Sequence, residues 1–580
     1  MSDSLVMFTF SPIQPFIAEA RRADDLYTGS RILSELSTAA ASTIQRHCID
    51  MIYPYIQTGK DTPNRIVAVL PTDQVNATAE AAIDALQGYW DGIAIFARNE
   101  LTKYSPTFDP AWNDIWNRQV NNIWEIYWAS IELGDDYKQD MARAQATLDG
   151  VKRTRLFTPS EESGPKDTLS GRRSALHTGK TSPMEYWKQV ASNVKNSRLL
   201  TNGRERLDAQ GVIKRFYGNK TFPSTSSVAS KIFLAKLLQD PKGSKLLEEY
   251  RNIIEELGCF TVCDDPNWPY DGDLLYEEIL TEKRLEEDYY IDKEKLKPGI
   301  LQGAKEKLKK IYSEMSGRPS PYYALIVMDG DSMGEHFGDC SSKEESRELS
   351  HKLSDFASTV EKISQDHNAC VIYNGGDDVM ALAPLSEGLN FSKELADKFH
   401  TITGCSMSAG IAIGHHQYPL RAVLDAAHNA ERKAKQVADG KKAAVCLMAL
   451  KRSGGTRTAC SHWDNLGDNM ETLVTLLQGK QLSTRLAYAM EEEARIGTAL
   501  PLDAQSAILK RLIIRHQGKA PTGSTPFDPL TLGQSLMEWV IGLNRSSVSI
   551  DVGEKVISTG FAELGTWMVL AHFIAEGGKE

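Results

Sequence analysis

The chain has 580 residues, of which 41% are hydrophobic and 25% charged, and its net charge is −11. These are the values of an ordinary soluble globular protein, and the length predicts three or four domains. No apolar run approaches the roughly 18 residues of a membrane span, no secretion signal opens the sequence, and eight scattered cysteines indicate a reducing compartment. We therefore expect a cytoplasmic protein without a membrane partner. Any contact with nucleic acid would need local basic patches.

Residues 1–225 predict an α+β domain with a helical insertion. Strands are expected at 5–10 and 66–70, a helix at 21–45, and mostly helix over 75–149. Four tryptophans in that last segment are spaced as one helix face, which favours a packed core or a subunit interface over a base-stacking platform: Trp112, Trp116, Trp124 and Trp128. No Gly-Gly-Asp-Asp motif occurs in this half. If it is a palm domain, we do not expect it to catalyse alone.

The middle of the chain, residues 226–318, is highly charged and predicts a mainly helical domain. Cys259 and Cys263 form the only close cysteine pair, which is weak evidence for zinc and favours buried structural thiols. Short basic segments are candidate contacts for nucleic acid, although a charge run is usually a solvated surface: residues 152–155, 172–173, 214–215 and 305–310.

Two acidic motifs follow apolar runs in the next part of the chain. The run at 323–328 predicts a buried central strand and ends in Asp329-Gly330-Asp331-Ser332-Met333-Gly334. Further on, Tyr373-Asn374-Gly375-Gly376-Asp377-Asp378 lies between two strand-like runs. Two glycines permit a tight turn, and adjacent carboxylates repel each other unless a cation joins them. Oxygen ligands of this kind suit Mg²⁺ or Mn²⁺.

An acid leaving one strand and an acid pair on a neighbouring hairpin can converge on two metal ions. Two such ions activate an attacking hydroxyl and stabilise a leaving pyrophosphate, as in palm-type polymerases and nucleotide cyclases. Each motif alone is often a solvated turn. Their occurrence together, each after an apolar strand and separated by a helix-length segment, favours a nucleoside triphosphate site.

The elements around the motifs follow the order of a ferredoxin-like palm domain over residues 319–450. Helices are expected at 342–365, 392–403 and 422–437, and strands at 405–413 and 443–448. The last of these strands is expected to close the sheet. Lys435 would either reach a triphosphate as a point charge or stay solvated near a helix C-terminus. Adjacent residues in an extended segment point to opposite faces, so His415 and His416 are not expected to act together. Residues 451–580 predict a helical domain without a recognisable site.

Taken together, these residues resemble the large subunit of type III CRISPR–Cas effector complexes, specifically the type III-B (Cmr) form. The resemblance covers nearly the whole chain and rests on motifs in both halves: residues 11–21, 25–30, 205–207, 214–215, 222–225, 328–334, 375–378, 408–410 and 415–416. It implies an α+β multidomain fold with two ferredoxin-like palm domains and additional helical domains.

The resemblance also implies a function and a site. A subunit of this kind works with a CRISPR guide RNA and other subunits of the type III-B complex, and target RNA activates its palm to convert ATP into cyclic oligoadenylate. The first palm would bind the second ATP. The implied metal ligands for Mg²⁺ or Mn²⁺ are Asp329, Asp377 and Asp378, with Asp331 as a weaker candidate, and Asp377 and Asp378 are the implied catalytic acids. The implied nucleotide-binding residues are Gly330, Gly334, Gly375, Gly376 and Lys435.

Two departures from the family lead to expected absences. No His-Asp pair occurs near the N-terminus, so we expect no HD-type DNA nuclease in this chain. Many members of the family have a zinc site built from two CxxC pairs. The corresponding positions here are Asp167 and Ser170, and Asp208 and Gly211. Because the thiol ligands are missing, we expect no structural zinc.

Alternatives remain open at this stage. The same palm could join AMP from ATP to S-adenosylmethionine instead of making cyclic adenylates, and no residue decides between these products. A non-catalytic RNA-binding scaffold is a second possibility, against which the intact Asp329, Asp377 and Asp378 argue. A free-standing diguanylate cyclase or polymerase is a third, and the second palm and the large helical regions disfavour it.

Overall fold

The computed structural model describes residues 2–55, 62–105, 108–121, 123–154, 162–196, 199–201, 204–217, 222–292, 294, 296–297, 299–437, 441–452, 454–497, 500–518, 526–545 and 560–578. The chain divides into two units. The first comprises residues 1–227, 233–318 and 332–358, and the second comprises 228–232, 319–331 and 359–580. Within the described ranges, no helix has the length and apolarity needed to cross a membrane.

The first unit contains a four-stranded antiparallel sheet. In chain order its strands are β1 Asp3–Ser11, β2 Asp50–Tyr53, β3 Arg65–Pro71 and β4 Glu125–Glu132. They are arranged as β2-β3-β1-β4, the strand order of a ferredoxin-like fold. The two central strands are almost wholly buried, which explains their continuous apolar sequences. The palm-like fold predicted for this half is confirmed.

Helices surround and follow this sheet. Those before the second sheet are α1 Gln14–Ala18, α2 Ala23–Gln45, α3 Val75–Thr102, α4 Pro110–Val120, α5 Tyr137–Arg153, α6 Pro183–Val194, α7 Ala209–Phe216, α8 Thr225–Gln239, α9 Pro241–Glu256, α10 Glu282–Tyr289 and α11 Ile300–Glu314. Helices α8 to α11 share one apolar core, as the predicted helical domain requires. Cys259 is buried in that core, whereas Cys263 is only half-buried.

The predicted single helix face of four tryptophans is wrong. Trp112 and Trp116 do stack within α4, with ring centroids 5.1 Å apart. Trp124 precedes strand β4, and Trp128 lies in it, opposite Phe8 of β1. Pairing with a central strand overrides the helical spacing, because β-branched and aromatic side chains suit a half-buried sheet.

Three side chains of two predicted basic patches are bonded to neighbouring groups, whereas Arg172 of the same patches is exposed. Arg215 is 1% exposed at its side chain and donates to Asp25 at 3.0 Å and to Glu205 at 3.0 Å. The Lys214 ammonium is buried and donates to the carbonyl of Glu19 at 2.8 Å. Arg173 pairs with Glu19 and Asp208. These side chains hold α7 and its neighbours together and do not offer a surface to RNA.

The other two basic segments lie on helices. Lys152 and Arg153 end α5, while Arg155 falls outside the described residues. On α11, Lys307 pairs with Glu249 at 2.6 Å, and Lys309 pairs with Glu277 at 3.1 Å.

The second unit contains a six-stranded sheet. Its strands are β5 Tyr322–Gly330, β6 Cys370–Asn374, β7 Asp378–Pro384, β8 Met407–His415, β9 Ala444–Leu450 and β10 Thr456–His462. The order is β10-β9-β8-β5-β7-β6. Within it, the four consecutive antiparallel strands β6-β7-β5-β8 repeat the ferredoxin-like order of the first sheet. Segment 443–448 does not close the sheet as predicted. Strand β10 pairs with β9 and forms the edge.

The helices between and after these strands complete the chain: α12 Met333–Asp339, α13 Lys343–Asp366, α14 Gly388–Thr403, α15 Leu420–Lys435, α16 Trp463–Leu466, α17 Asn469–Gln478, α18 Arg485–Gly497, α19 Leu502–Arg515, α20 Pro529–Arg545 and α21 Gly560–Ala575. Of the region 451–580 that was predicted to be helical, residues 456–462 form strand β10, and helices α16 to α21 follow it. The last helix, α21, is apolar on all sides because α17, α18 and α20 pack around it.

Helix α15 lies very close to the second sheet. A Cβ added at Gly410 of β8 would meet the Glu431 amide nitrogen at 2.1 Å and the Ala427 carbonyl oxygen at 2.3 Å. Gly410 is opposite Val327 of β5, and side chains alternate along a strand, so α15 covers the face on which Asp329 lies. This close approach brings the end of α15 to the acidic motifs.

Candidate active site

Strand pairing brings the two acidic motifs together. Asp329, near the end of β5, is directly opposite Asp378, the first residue of β7. Opposite residues in antiparallel strands share a face of the sheet, and their Cβ atoms are about 5 Å apart. The Gly330 amide donates to the Asp377 carbonyl at 2.6 Å, which fixes the turn against the end of β5.

The turn between β6 and β7 depends on its two glycines. Gly376 has a φ of 96°, a backbone conformation that side chains disfavour. The Gly375 amide donates to the Asp378 carbonyl at 2.9 Å and closes the turn. A Cβ at position 375 would lie 2.2 Å from both an Asp378 carboxylate oxygen and the Tyr373 hydroxyl. Gly375 therefore makes room for the carboxylate.

The acids of this site destabilise one another. Desolvation raises the pKa of Asp378 well above its ordinary value, and the neighbouring charges of Asp377 and Asp329 raise it further. Burial likewise raises the pKa of Asp329, although Lys435 opposes the shift. A divalent cation would offset this repulsion, and carboxylate oxygens are the ligands that Mg²⁺ and Mn²⁺ prefer. Asp329 and Asp378, opposite each other in the sheet, have the donor chemistry that fits such an ion.

Lys435 lies in the acid site and is not a solvated side chain at a helix end. The Lys435 ammonium, which can only donate hydrogen bonds, contacts the carboxylate of Asp329. It also pairs with Glu431 at 2.8 Å. Burial alone would lower the pKa of Lys435, but the bonds to Asp329 and Glu431 raise it above the ordinary value. Among the described residues, no three His, Cys, Asp or Glu side chains form a ready-made metal ligand set. Lys435 instead neutralises Asp329.

Asp331 has a different environment from the other acids. It is 3% exposed, and its carboxylate accepts hydrogen bonds from Ser406 at 2.6 Å, Ser408 at 2.8 Å and the Ala443 amide at 2.8 Å. The Asp331 amide in turn donates to the Ser406 carbonyl at 2.8 Å. Asp331 thus joins the end of β5 to the start of β8 and to the segment that enters β9. Its predicted role as a weaker metal ligand stays a prediction.

The remaining predicted residues are distributed as follows. Gly330, Gly375 and Gly376 lie at the strand ends and the turn just described, and Gly334 lies in α12 of the first unit. The expectation that His415 and His416 point to opposite faces is wrong. Their rings stack with centroids 4.8 Å apart, because β8 ends at His415 and a turn follows.

In the first unit, the residues at the four positions where the family has zinc-binding cysteines are hydrogen-bonded to one another in pairs. Asp167 accepts hydrogen bonds from the amide of Ser170 at 2.6 Å, and Asp208 accepts one from the amide of Gly211 at 2.7 Å. The expected absence of zinc stays a prediction.

Four side chains of the site were not predicted from the sequence. Glu431 precedes Lys435 by one helical turn, and this i, i+4 spacing was a usable signal. Ser406 and Ser408 could not be found by spacing, since they meet Asp331 only through strand pairing. Tyr373 reaches the site because of an irregularity in β6 that no sequence pattern announces.

Comparisons with known proteins agree with this fold. Residues 322–446 match the model of the family Cas10/Cmr2, second palm domain, and residues 5–95 match the CRISPR-associated protein Cmr2, N-terminal family. The chain is 25% identical to the CRISPR system Cmr subunit Cmr2 of Pyrococcus furiosus, over 88% of this chain and 69% of that protein.

Two solved structures share the fold. A chain of the type III-B Cmr-beta complex in its apo state has a TM-score of 0.67 at 14% identity, covering 100% of this chain and 82% of that one. A chain of type III-B Cmr-beta bound to cognate target RNA has a TM-score of 0.69 at 13% identity, covering 99% of this chain and 83% of that one.

The second sheet and its acids thus lie in the segment that matches the Cas10/Cmr2 second palm family, and the fold with two ferredoxin-like sheets is shared with the Cmr-beta chains. The N-terminal family that matches and the curated relative are both Cmr2, so the chain is similar to Cmr2 over most of its length. The resemblance to the large subunit of type III-B complexes is confirmed.

Proposed function

We propose that this chain is the large subunit of a type III-B CRISPR RNA-guided complex, and that target RNA activates its second palm to make a second messenger from ATP. The observation that carries the proposal is the placement of Asp329 directly opposite Asp378, with Asp377 beside it on a glycine turn. Its partners would be guide RNA, target RNA and the other subunits, as the similarity to the RNA-bound Cmr-beta chain supports.

Asp329, Asp377 and Asp378 would hold Mg²⁺ or Mn²⁺. When bound, such ions activate a hydroxyl and neutralise charge on the phosphates. In the reaction, the 3′-hydroxyl of one nucleotide attacks the α-phosphate of a second ATP. A new phosphodiester bond forms, the bond between the α- and β-phosphates breaks, and pyrophosphate leaves. The hydroxyl proton passes to solvent.

Lys435 would serve the triphosphate. In the described site its ammonium neutralises Asp329, so a cation that binds Asp329 frees the lysine for another anion. Glu431, which contacts the same ammonium, keeps it at the mouth of the acid site during that exchange. The turn glycines 375 and 376 leave the backbone open to a phosphate.

Mass spectrometry of the reconstituted complex tests the proposal. The complex would contain guide RNA, target RNA, ATP and Mg²⁺ or Mn²⁺, with and without S-adenosylmethionine. Cyclic adenylates in both samples support the proposed activity, whereas an AMP adduct found only with S-adenosylmethionine assigns that conjugation to the same site. Absence of both products indicates a scaffold.

The paired control is the Asp377→Ala/Asp378→Ala variant, incorporated into the same complex. Because the substitutions remove carboxylates that repel each other, the variant should assemble normally and lose several orders of magnitude in product yield. A chelator should stop the wild-type reaction without melting the chain. Normal yield from the double variant would refute the site assignment.

A further inference from the structure

We infer that Tyr373 is a positioning residue of the acid site, whose hydroxyl holds the Asp378 carboxylate in the orientation that binds a divalent cation. Only the expected effect of Tyr373 on catalysis rests on the proposed function. Its expected effect on cation binding does not depend on that function and can be measured without any product.

A β-bulge places Tyr373 on the correct face of the sheet. Residue pairing between β6 and β7 runs from Cys370 opposite Leu382 to Val371 opposite Ala381, and then continues with Tyr373 opposite Met380. One extra residue is thus inserted in β6. Without it, the partner of Tyr373 would be one position away and on the other face.

The bulge gives Tyr373 the same orientation as the acids. Met380 lies two residues after Asp378, so both side chains are on one face of β7, and Tyr373, opposite Met380, shares it. Asp329, opposite Asp378, is on that face too. Bulges near functional sites commonly redirect a side chain in this way.

The contact itself is local. The Tyr373 hydroxyl donates to the Asp378 carboxylate, and each of the two oxygen atoms lies 2.2 Å from the position that a Cβ of residue 375 would take. This donor restricts the rotation of the carboxylate and engages one of its two oxygen atoms. Hydrogen bonds to metal-ligating carboxylates typically change metal affinity or activity about 10- to 100-fold.

The test compares Tyr373→Phe with wild type in the full chain, by titration with Mn²⁺ followed by electron paramagnetic resonance. Phenylalanine keeps the ring and its packing and removes only the donor. We expect Mn²⁺ affinity to fall about 10- to 100-fold. In the reconstituted complex, the metal concentration for half-maximal rate should rise by a similar factor, while the rate at saturating metal stays near that of wild type.

Tyr323→Phe is the matched control. It removes a phenol hydroxyl from a fully buried tyrosine of β5 in the same sheet, opposite Pro384 and far along the strand from Asp329. This variant should bind Mn²⁺ as wild type does. Circular dichroism of both variants would establish that they fold.

Each outcome decides the inference. Mn²⁺ affinity of Tyr373→Phe within twofold of wild type would overturn it, as would an equal loss in Tyr323→Phe or the absence of Mn²⁺ binding by the wild-type chain. If the wild-type complex binds Mn²⁺ but makes no nucleotide product, the proposed function fails, and the binding comparison still decides the role of Tyr373.

Discussion

Substitution of Gly375 by alanine should disable the acid site without unfolding the protein. The added Cβ would lie 2.2 Å from an Asp378 carboxylate oxygen and 2.2 Å from the Tyr373 hydroxyl, where ordinary contacts begin at 3.4 Å. Gly375 has no positive φ, unlike Gly376 with its φ of 96°, so alanine does not strain the backbone. The clash must be relieved by moving the two oxygen atoms.

The size of the effect follows from that displacement. Relief of the overlap requires the carboxylate or the hydroxyl to withdraw by roughly 1 Å, and a misplacement of that size costs on the order of 100-fold in rate. A factor of 100 corresponds to about 2.7 kcal/mol of transition-state stabilisation. Stability should change by much less, because only the end of a hairpin has to adjust.

The assay is product yield per complex at saturating ATP and Mg²⁺, with thermal unfolding measured in parallel. Gly303→Ala in α11 is the control, since a Cβ there meets no atom within 4 Å and alanine favours a helix. A Gly375→Ala complex with a rate within threefold of wild type would refute the geometry assigned to the turn.

Three further outcomes are expected. Arg215→Met should lower the free energy of unfolding by about 3–5 kcal/mol in denaturant titrations, because it leaves buried carboxylates without their cation; a loss below about 1 kcal/mol would contradict the ion pairs described. His367 donates to two glutamates, which raise its pKa above 6.5 although burial opposes them. The two ion pairs of His367 contribute less than about 1 kcal/mol to the free energy of unfolding, because solvent screens them. This contribution should be complete below pH 6.5 and vanish as the pH rises through the raised pKa of His367. Unfolding midpoints of wild type and His367→Gln should therefore differ more at pH 6 than at pH 9, and the reverse would disprove this assignment. Asp331→Asn should leave Mn²⁺ binding intact while reducing stability by about 1–3 kcal/mol, whereas Asp329→Asn should abolish binding; equal loss in both variants would make Asp331 a ligand.

Local sequence determined much of the second palm. The apolar run before Asp329, the glycine pair before Asp377 and the helical periodicity between them fix a strand, a turn and a helix by short-range forces. Carboxylate chemistry then indicated a cation site before any strand pairing was known. The family resemblance also rested on these short motifs, and the matched families extend over them.

Other features depended on contacts between distant segments. Trp128 belongs to a strand because β1 is available to pair with it, and Arg215 is buried because Asp25 and Glu205 neutralise it. Spacing and charge alone favoured the opposite interpretation in both cases. A propensity of a few tenths of a kcal/mol per residue cannot outweigh such pairings.

The residues that could do chemistry here are recognisable from short stretches of sequence, since the acids, the glycines and Lys435 occur in motifs of a few residues. How each of them is used depends on contacts between distant parts of the chain. Strand register sets Asp329 against Asp378, turns Asp331 toward Ser408, and through one bulged residue brings Tyr373 to the acids. The physical reason is that a shift of one residue in register moves a side chain to the other face of a sheet, and register is set by the packing of the whole domain.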